Sequence, residues 1–345
     1  MKREMKNSVT DFNRFSEEEI RPEKFSDEHC KALLEDVNML LSRYKEFVKC
    51  GCPACDSIQN EFQFSKRGFD YVQCKNCQTL FINPRPSEDI LNWFYRESKN
   101  YVFWNKTIFP ATENARYKNI ILPRIKKTIE ICQKYNVNME SILEVGAGFG
   151  TFCIAIQSQK IFNQVIAIEP TPDLADTCRK KGIETIELPI EKIEFSKNIL
   201  FDVIVSFEVI EHLFSPKNFL QHIFHLLKPG GIVILSCPNG KGFDIQVLRE
   251  ISDTIDHEHL NYFNPFSIST LLNSCGFKIL EISTPGKLDA ELVRKKVLND
   301  EFNLSYSPFL QHILIEKWDL LGNSFQHFLI ENVLSSNMWA VAQRP

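Results

Sequence analysis

The stretch Ser141-Ile142-Leu143-Glu144-Val145-Gly146-Ala147-Gly148-Phe149-Gly150-Thr151-Phe152 (SILEVGAGFGTF) decides the fold. A short apolar run ends in three alternating glycines, and a helix-forming segment follows. Glycines there permit a tight turn and let a ligand approach the backbone, while the helix N-terminus offers free N–H groups. Alone, a glycine turn is weak evidence. It gains weight from Val165–Pro170 (VIAIEP), where Glu169 ends the next apolar run 23 residues after Gly146. A carboxylate at that strand end can accept hydrogen bonds from both ribose hydroxyls of a nucleotide-like cofactor. The spacing is G-x-G-x-G, with Thr151 where a dinucleotide fingerprint carries Gly or Ala, which turns the reading away from NAD.

Outward from this turn, strands and helices alternate. Apolar runs at 142–145, 165–168, 201–207 and 232–236 are separated by helical or turn segments, as an α/β doubly wound, Rossmann-like parallel sheet requires. Further strands are expected at 278–283 and 338–342, flanking a mostly helical insertion at about 289–334. Upstream, a helical connector is expected over 87–135, with a helix start at Pro86-Ser87-Glu88-Asp89, an aromatic-rich stretch at 101–109 and a long helix from about Glu113 to Tyr135. The chain's first segment, 1–48, reads as a polar, loosely attached 1–26 followed by a helix. Its apolar stripe is Leu33, Leu34, Val37, Leu40, Leu41, Tyr44, Phe47 and Val48, and the helix should pack on its own protein.

Between these lies a different texture, at 49–86. Cys52 and Cys55 (CPAC) and Cys74 and Cys77 (CKNC) form two C-x2-C pairs separated by eighteen residues. Each pair can put two thiolates on one ion through a tight turn, and four thiolates close a tetrahedral Zn²⁺ shell, so this is read as a structural zinc ribbon. Cys50 is a spare that could replace Cys52. Zinc ribbons often touch nucleic acid, but residues 49–89 carry five basic side chains against five acidic ones, a poor phosphate-binding surface.

Composition is that of a soluble globular protein. The 345 residues are 43% hydrophobic and 24% charged, with a formal net charge of −4, so no basic face argues for nucleic acid or an anionic membrane. The first fifteen residues lack the apolar core of a signal peptide and no run approaches a membrane span, so a cytoplasmic location is expected, with the eleven cysteines reduced or metal-bound.

The acidic Glu144 before the first glycine, with 201–213 (FDVIVSFEVIEHL) and 226–239 (LLKPGGIVILSCPN), makes the region 141–277 resemble class I S-adenosylmethionine-dependent methyltransferases, the strand at 338–342 fitting the same sheet. The resemblance implies a domain over 136–345 that binds S-adenosyl-L-methionine. It implies the methionine part over Glu144, Gly146, Ala147, Gly148 and Gly150, the ribose at Glu169 and Pro170, and adenine flanked by Leu188 and Pro189. Phe207 and Glu208 would stand beside the sulfonium and acceptor. Glu208 and His212 can equally serve to orient backbone.

The ribbon, then 74–89 (CKNCQTLFINPRPSED), this domain and 256–263 (DHEHLNYF) together resemble a subgroup that includes bacterial sugar C-methyltransferases. There the matching loop carries Tyr-x-Glu-His near the acceptor, with the histidine proposed as base. Glu258 and His259 match that pattern; Asp256 stands in the tyrosine's place, and about sixty residues after Pro285 replace a larger C-terminal domain. Methyl transfer needs an aligned acceptor and a group to take its proton, which assigns the catalytic role to His259, with Glu258 and His257 beside it. As a metal site the loop would need a third ligand besides His257 and His259. Lys287 and Asp289 are further candidates for reaching the acceptor.

The expected activity is methyl transfer, to oxygen or carbon, on a small hydroxylated acceptor such as a sugar nucleotide or another cell-surface precursor. The rivals are an RNA methyltransferase gripping RNA with the ribbon, and a non-catalytic S-adenosylmethionine-binding scaffold.

Overall fold

Strands Ser141–Val145 and Phe201–Phe207 are buried at every position, and that double-sided burial fixes the architecture. Strands apolar on both faces belong in the middle of a parallel sheet covered by helices on each side. The computed structural model, which describes residues 16–193 and 200–345, has eleven strands in two sheets. Three strands come first, β1 (Asn60–Lys66), β2 (Phe69–Cys74) and β3 (Leu80–Ile82). They are followed by β4 (Ser141–Val145), β5 (Gln164–Ile168), β6 (Glu184–Ile186), β7 (Phe201–Phe207) and β8 (Leu227–Pro238). β9 (Asn261–Tyr262), β10 (Lys278–Ser283) and β11 (Asn337–Gln343) complete the set.

The large sheet has the order β10-β11-β8-β7-β4-β5-β6. β4, β5, β6, β7 and β8 pair in parallel, and β11 inserts antiparallel between β8 and β10. The doubly wound Rossmann-like fold read from the sequence is therefore present. β6 was not legible, because Glu184-Thr185-Ile186 is a short, half-exposed edge strand with no apolar run.

The small sheet, order β1-β2-β3-β9, carries three strands from the cysteine-rich region and one from the histidine loop. Leu80 pairs with Tyr262 and Phe81 with Asn261, so the ribbon borrows its fourth strand from the cofactor domain. Its two faces pack differently: Phe64, Phe69, Tyr71, Leu80 and Ile82 form a cluster of their own with Val37, Leu40, Ile90 and Phe94 of the upstream helices, while the other face joins the main core. Cys52, Ala54, Val72 and Phe81 pack in one cluster with Leu143, Ile204 and Phe263 on one face of the large sheet.

Three upstream expectations need correction. The first helix ends at Leu41, leaving Tyr44, Phe47 and Val48 beyond it and Leu34 on its exposed side. The long helix does not begin near Glu113 but takes in the aromatic stretch 101–109: Lys99–Phe103, a π turn at Trp104–Ile108, Phe109–Arg116, a second π turn at Tyr117–Ile121, and Leu122–Lys134 follow without a break. Of the segment expected to be loose, residues 1–15 lie outside the described residues. Residues 16–25 are tied down by Arg116 donating to the Ile20 carbonyl at 2.9 Å and by Lys295 3.2 Å from Glu17. Helices Asp289–Leu298 and Trp318–Glu331 bury Ala290, Val293 and Leu329, together with Leu314, against Leu248.

Candidate active site

The glycine turn follows β4 and all three glycines have φ in the left-handed region, which side chains with a Cβ rarely adopt. A Cβ on Gly146 would meet Val209 Cγ2 at 2.5 Å and one on Gly150 would meet Cys178 Sγ at 2.9 Å, whereas nothing lies within 4 Å of the position on Gly148. The turn is thus packed at both ends and open in the middle, where a ligand can approach. Gly150 is the N-cap of the helix Thr151–Ser158. Ala147 is buried.

Glu169, at the end of β5, is buried and accepts from Gly148 N at 2.7 Å and Thr171 N at 2.9 Å. Burial raises its carboxyl above the ordinary range while those two N–H groups oppose the rise. The same two bonds lock the carboxylate beside the open glycine. Glu144 is buried within the strand end and accepts from the Cys153 thiol at 3.0 Å, its carboxyl pushed up to about 7 chiefly by burial. Pro170 and Leu188 are exposed, and Pro189 is half-buried. The Phe207 ring turns into the core, 5.1 Å from Phe152 and 5.3 Å from Trp339, with the Arg124 guanidinium over its face. Glu208 has φ 57°, an uncommon backbone state for a non-glycine residue at a strand end, and accepts from Ser236 and Asn337.

Two loops at the carboxyl edge then meet. Residues 208–212 follow β7, and 254–262 follow β8. The His212 and His259 rings are 4.7 Å apart. His212 Nδ1 is 3.0 Å from the Glu258 carbonyl and His259 Nδ1 is 3.1 Å from the Thr254 carbonyl. A carbonyl only accepts, so both Nδ1 atoms carry a proton, and in a neutral ring the lone pair is then on Nε2. Burial and the neighbouring His259 lower His212 to about 3, which keeps it neutral. Asp256 lies 3.3 Å from His259 Nδ1. Its burial alone would raise it, but the imidazoles of His259 and His257 hold it below the ordinary range.

Glu258 does not serve His259. Its carboxyl accepts from Asn100 Nδ2 at 2.7 Å, and burial followed by the charge of Asp256 raises it to about 8. His257 is buried in an aromatic pocket, 6.1 Å from the Phe69 ring and 5.8 Å from Phe94, with neither ring nitrogen hydrogen-bonded. Asp289 is buried against Ser335, Ser336 and Gln326, a structural role, and Lys287 is exposed. Several side chains at the site escaped sequence reasoning. Tyr95 stands 6.5 Å from the His212 ring, Asn100 holds Glu258, and Glu211 is fully buried beside His212. The aromatic composition of 101–109 was visible, but no spacing tied the helices that carry Tyr95 and Asn100 to the loop.

The four cysteines of the two C-x2-C pairs converge, with all four sulfurs within 4.8 Å of one another, Cys52 3.3 Å from Cys77 and Cys55 3.5 Å from Cys74. Tetrahedral sulfurs about 2.3 Å from Zn²⁺ stand roughly 3.8 Å apart, so this donor set fits the ion with little spreading. Thr79 Oγ1, 3.1 Å from Cys77, fixes one sulfur from behind. Cys50 is outside the group and contacts Asn83 instead.

A sheet of this strand order, a ligand-open glycine turn and a locked acid at the second strand end define a domain built for a nucleotide-like cofactor. The family described as a methyltransferase domain matches residues 113–282. The ubiquinone biosynthesis O-methyltransferase of Rickettsia typhi is 30% identical over 202 residues, 54% of this chain and 80% of that protein. The C-methyltransferase NovU of Streptomyces niveus is 23% identical over 221 residues, 62% of this chain and only 48% of NovU. A solved structure of Haemonchus contortus phosphoethanolamine N-methyltransferase 2 with S-adenosyl-L-methionine aligns at TM-score 0.47 and 18% identity, over 80% of this chain and 64% of that one. The chain belongs to the class I S-adenosylmethionine-dependent methyltransferases. No helix among the described residues is long and apolar enough to cross a membrane.

Proposed function

We propose that this enzyme methylates an oxygen or an acidic carbon of a small hydroxylated acceptor, such as a sugar nucleotide or another cell-surface precursor, and that the acceptor is deprotonated at His259. The observation that carries this reading is the pair of imidazoles in contact, each with Nδ1 tied to a backbone carbonyl, which leaves Nε2 to face a ligand. His212 sits on the loop that abuts the glycine turn through Val209, and His259 meets it from the loop after β8. Relatives named for O-methylation and for C-methylation both support a small acceptor.

S-adenosylmethionine, when bound, supplies a methyl carbon activated by the positive sulfur. In this reading Gly146, Gly148 and Gly150 lie under its methionine part, Glu169 holds the ribose, and Leu188 and Pro189 flank the adenine. The protein's own work is then to align the acceptor and take its proton. Asp256, rather than Glu258, orients His259. Zn²⁺ held by Cys52, Cys55, Cys74 and Cys77 would be structural, stiffening the sheet that carries the histidine loop.

The test is His259→Asn. S-adenosylhomocysteine affinity should stay near wild type, because His259 faces the acceptor, while turnover falls about 10²–10⁴ fold, the usual worth of a positioned base. Wild-type turnover in single-turnover measurements would overturn the assignment.

A further inference from the structure

Glu211 is the least explained side chain of the site. It is completely buried, yet neither carboxylate oxygen has a hydrogen-bond partner. An enclosed carboxyl without partners carries a desolvation cost of the order of 1–3 kcal/mol or more, so buried acids are normally paired or bound to a cation. One oxygen of Glu211, one nitrogen of His212 and one nitrogen of His259 lie within 4.8 Å of one another. His212 Nε2 is 4.0 Å from Glu211 Oε1. Since both Nδ1 atoms are tied to carbonyls, the free nitrogens are Nε2, each with its lone pair available. The imidazoles keep 23% and 19% of their side-chain surface exposed, so the cluster is closed behind Glu211 and reachable in front.

A neighbouring trio makes a useful contrast. Asp36, His257 and Glu258 also approach within 4.8 Å, but both Asp36 oxygens are taken by Ser98 Oγ and by the backbone N–H groups of Lys99 and Asn100. That carboxylate caps a helix. Glu211 has no such employment.

We propose that Glu211, His212 and His259 hold a first-row divalent cation, and that the acceptor meets it through two adjacent oxygens. Two imidazoles and one carboxylate suit Zn²⁺, Mn²⁺, Fe²⁺ or Co²⁺ and leave coordination positions open for a chelating ligand. The Nδ1 bonds to carbonyl oxygens are the outer contacts that orient histidine ligands. The inference rests on the placement of the acceptor at this loop and replaces one part of the reading above: with the cation bound, His259 is a ligand and not the base. The His259 lone pair is spent on the cation, which makes the bound acceptor hydroxyl acidic, and its proton leaves to solvent through the open face.

The experiment titrates Co²⁺ into the full-length protein with its ribbon zinc retained, reading visible absorption and metal content. One additional Co²⁺ per chain should bind. Affinity should fall more than about tenfold in Glu211→Gln, which keeps the shape of the side chain, and in His212→Asn, since losing a ligand should cost at least as much as losing an outer contact. No bound Co²⁺ at millimolar concentration, or unchanged binding in Glu211→Gln, overturns the cation site. If that result accompanies a turnover loss in His259→Asn, the free-imidazole reading stands without the cation. If Co²⁺ binds as expected but His259→Asn turns over at the wild-type rate, the cation site stands and the acceptor assignment fails.

Discussion

The phenol of Tyr71, on β2 of the cysteine-rich sheet, donates to the carbonyl of Asp256 at 2.7 Å and so joins two residues 185 positions apart. Tyr262, from the same loop, receives the Asp256 N–H at 2.9 Å. The Lys66 ammonium adds bonds to the Ser252 and Ile255 carbonyls at 2.8 and 2.7 Å, and Arg85 donates to Asn261 Oδ1 at 2.9 Å. The loop that presents His259 therefore rests on the ribbon, and its geometry depends on the ribbon being folded.

This dependence makes the cysteine cluster testable through chemistry as well as stability. Cys77→Ser should lose the ribbon zinc and destabilise the protein by at least about 4 kcal/mol, the class of effect that losing a structural metal produces. At a temperature where the variant is still folded, turnover should fall more than S-adenosylhomocysteine affinity, because the histidine loop is hydrogen-bonded directly to the ribbon, whereas Glu169 is held by Gly148 and Thr171. Metal analysis of wild-type protein prepared without chelator checks the premise. Protein free of zinc, with normal stability, would contradict it.

The glycine turn predicts a contrast between two small substitutions. Gly146→Ala drives a methyl to 2.5 Å from Val209 in a left-handed backbone state and should cost about 2–4 kcal/mol of stability. Gly148→Ala meets nothing within 4 Å and should cost only about 1–2 kcal/mol, the backbone penalty alone. Its effect should appear in cofactor binding, weakened by about 1–3 kcal/mol as a methyl enters space the ligand needs. Thermal melts and calorimetry with S-adenosylhomocysteine separate the two, and equal affinity in Gly148→Ala would place the cofactor elsewhere.

His257 gives a pH prediction. Burial holds it down at about 4 in the folded protein, against about 6.5 unfolded. Between those values the unfolded chain binds a proton that the native one refuses. Stability therefore falls as pH drops from 6.5 towards 4, by about 3 kcal/mol in all. Glu258, raised to about 8, works the other way between its unfolded value and pH 8, so the comparison must be between variants. His257→Leu, similar in size and free of unpaired nitrogens, should flatten the difference below pH 6.5 and raise the melting temperature at pH 5. Denaturant midpoints across pH 4.5–7.5 measure it, and parallel profiles for the two proteins would show that the imidazole is not the source.

How much of this was legible depended on whether the signal was local. Gly146, Gly148 and Glu169 announce themselves because turn, strand end and acid lie on one short stretch, and the cysteine pairs do so by spacing. The histidine loop was recognisable as chemistry, but which imidazole faces the cleft was not. His257 and His259 are two residues apart, and only the packing of Phe69 and Phe94, from the ribbon and from the helix Glu88–Glu97, decides that His257 is the one turned inward. Glu211 was hidden for the same reason: a carboxylate in FEVIEH reads as surface until three distant segments close over it.

The borrowed strand also bears on how the chain is made. β1, β2 and β3 leave the ribosome long before Asn261 and Tyr262, which complete their sheet. At ordinary synthesis rates the β3 edge waits roughly ten to forty seconds for its partner. An open edge of that kind invites pairing with other chains. Zinc capture by the four cysteines would not close it. The nascent ribbon is therefore the segment most in need of a chaperone, and an excised 49–86 fragment should associate with itself even when metal-loaded.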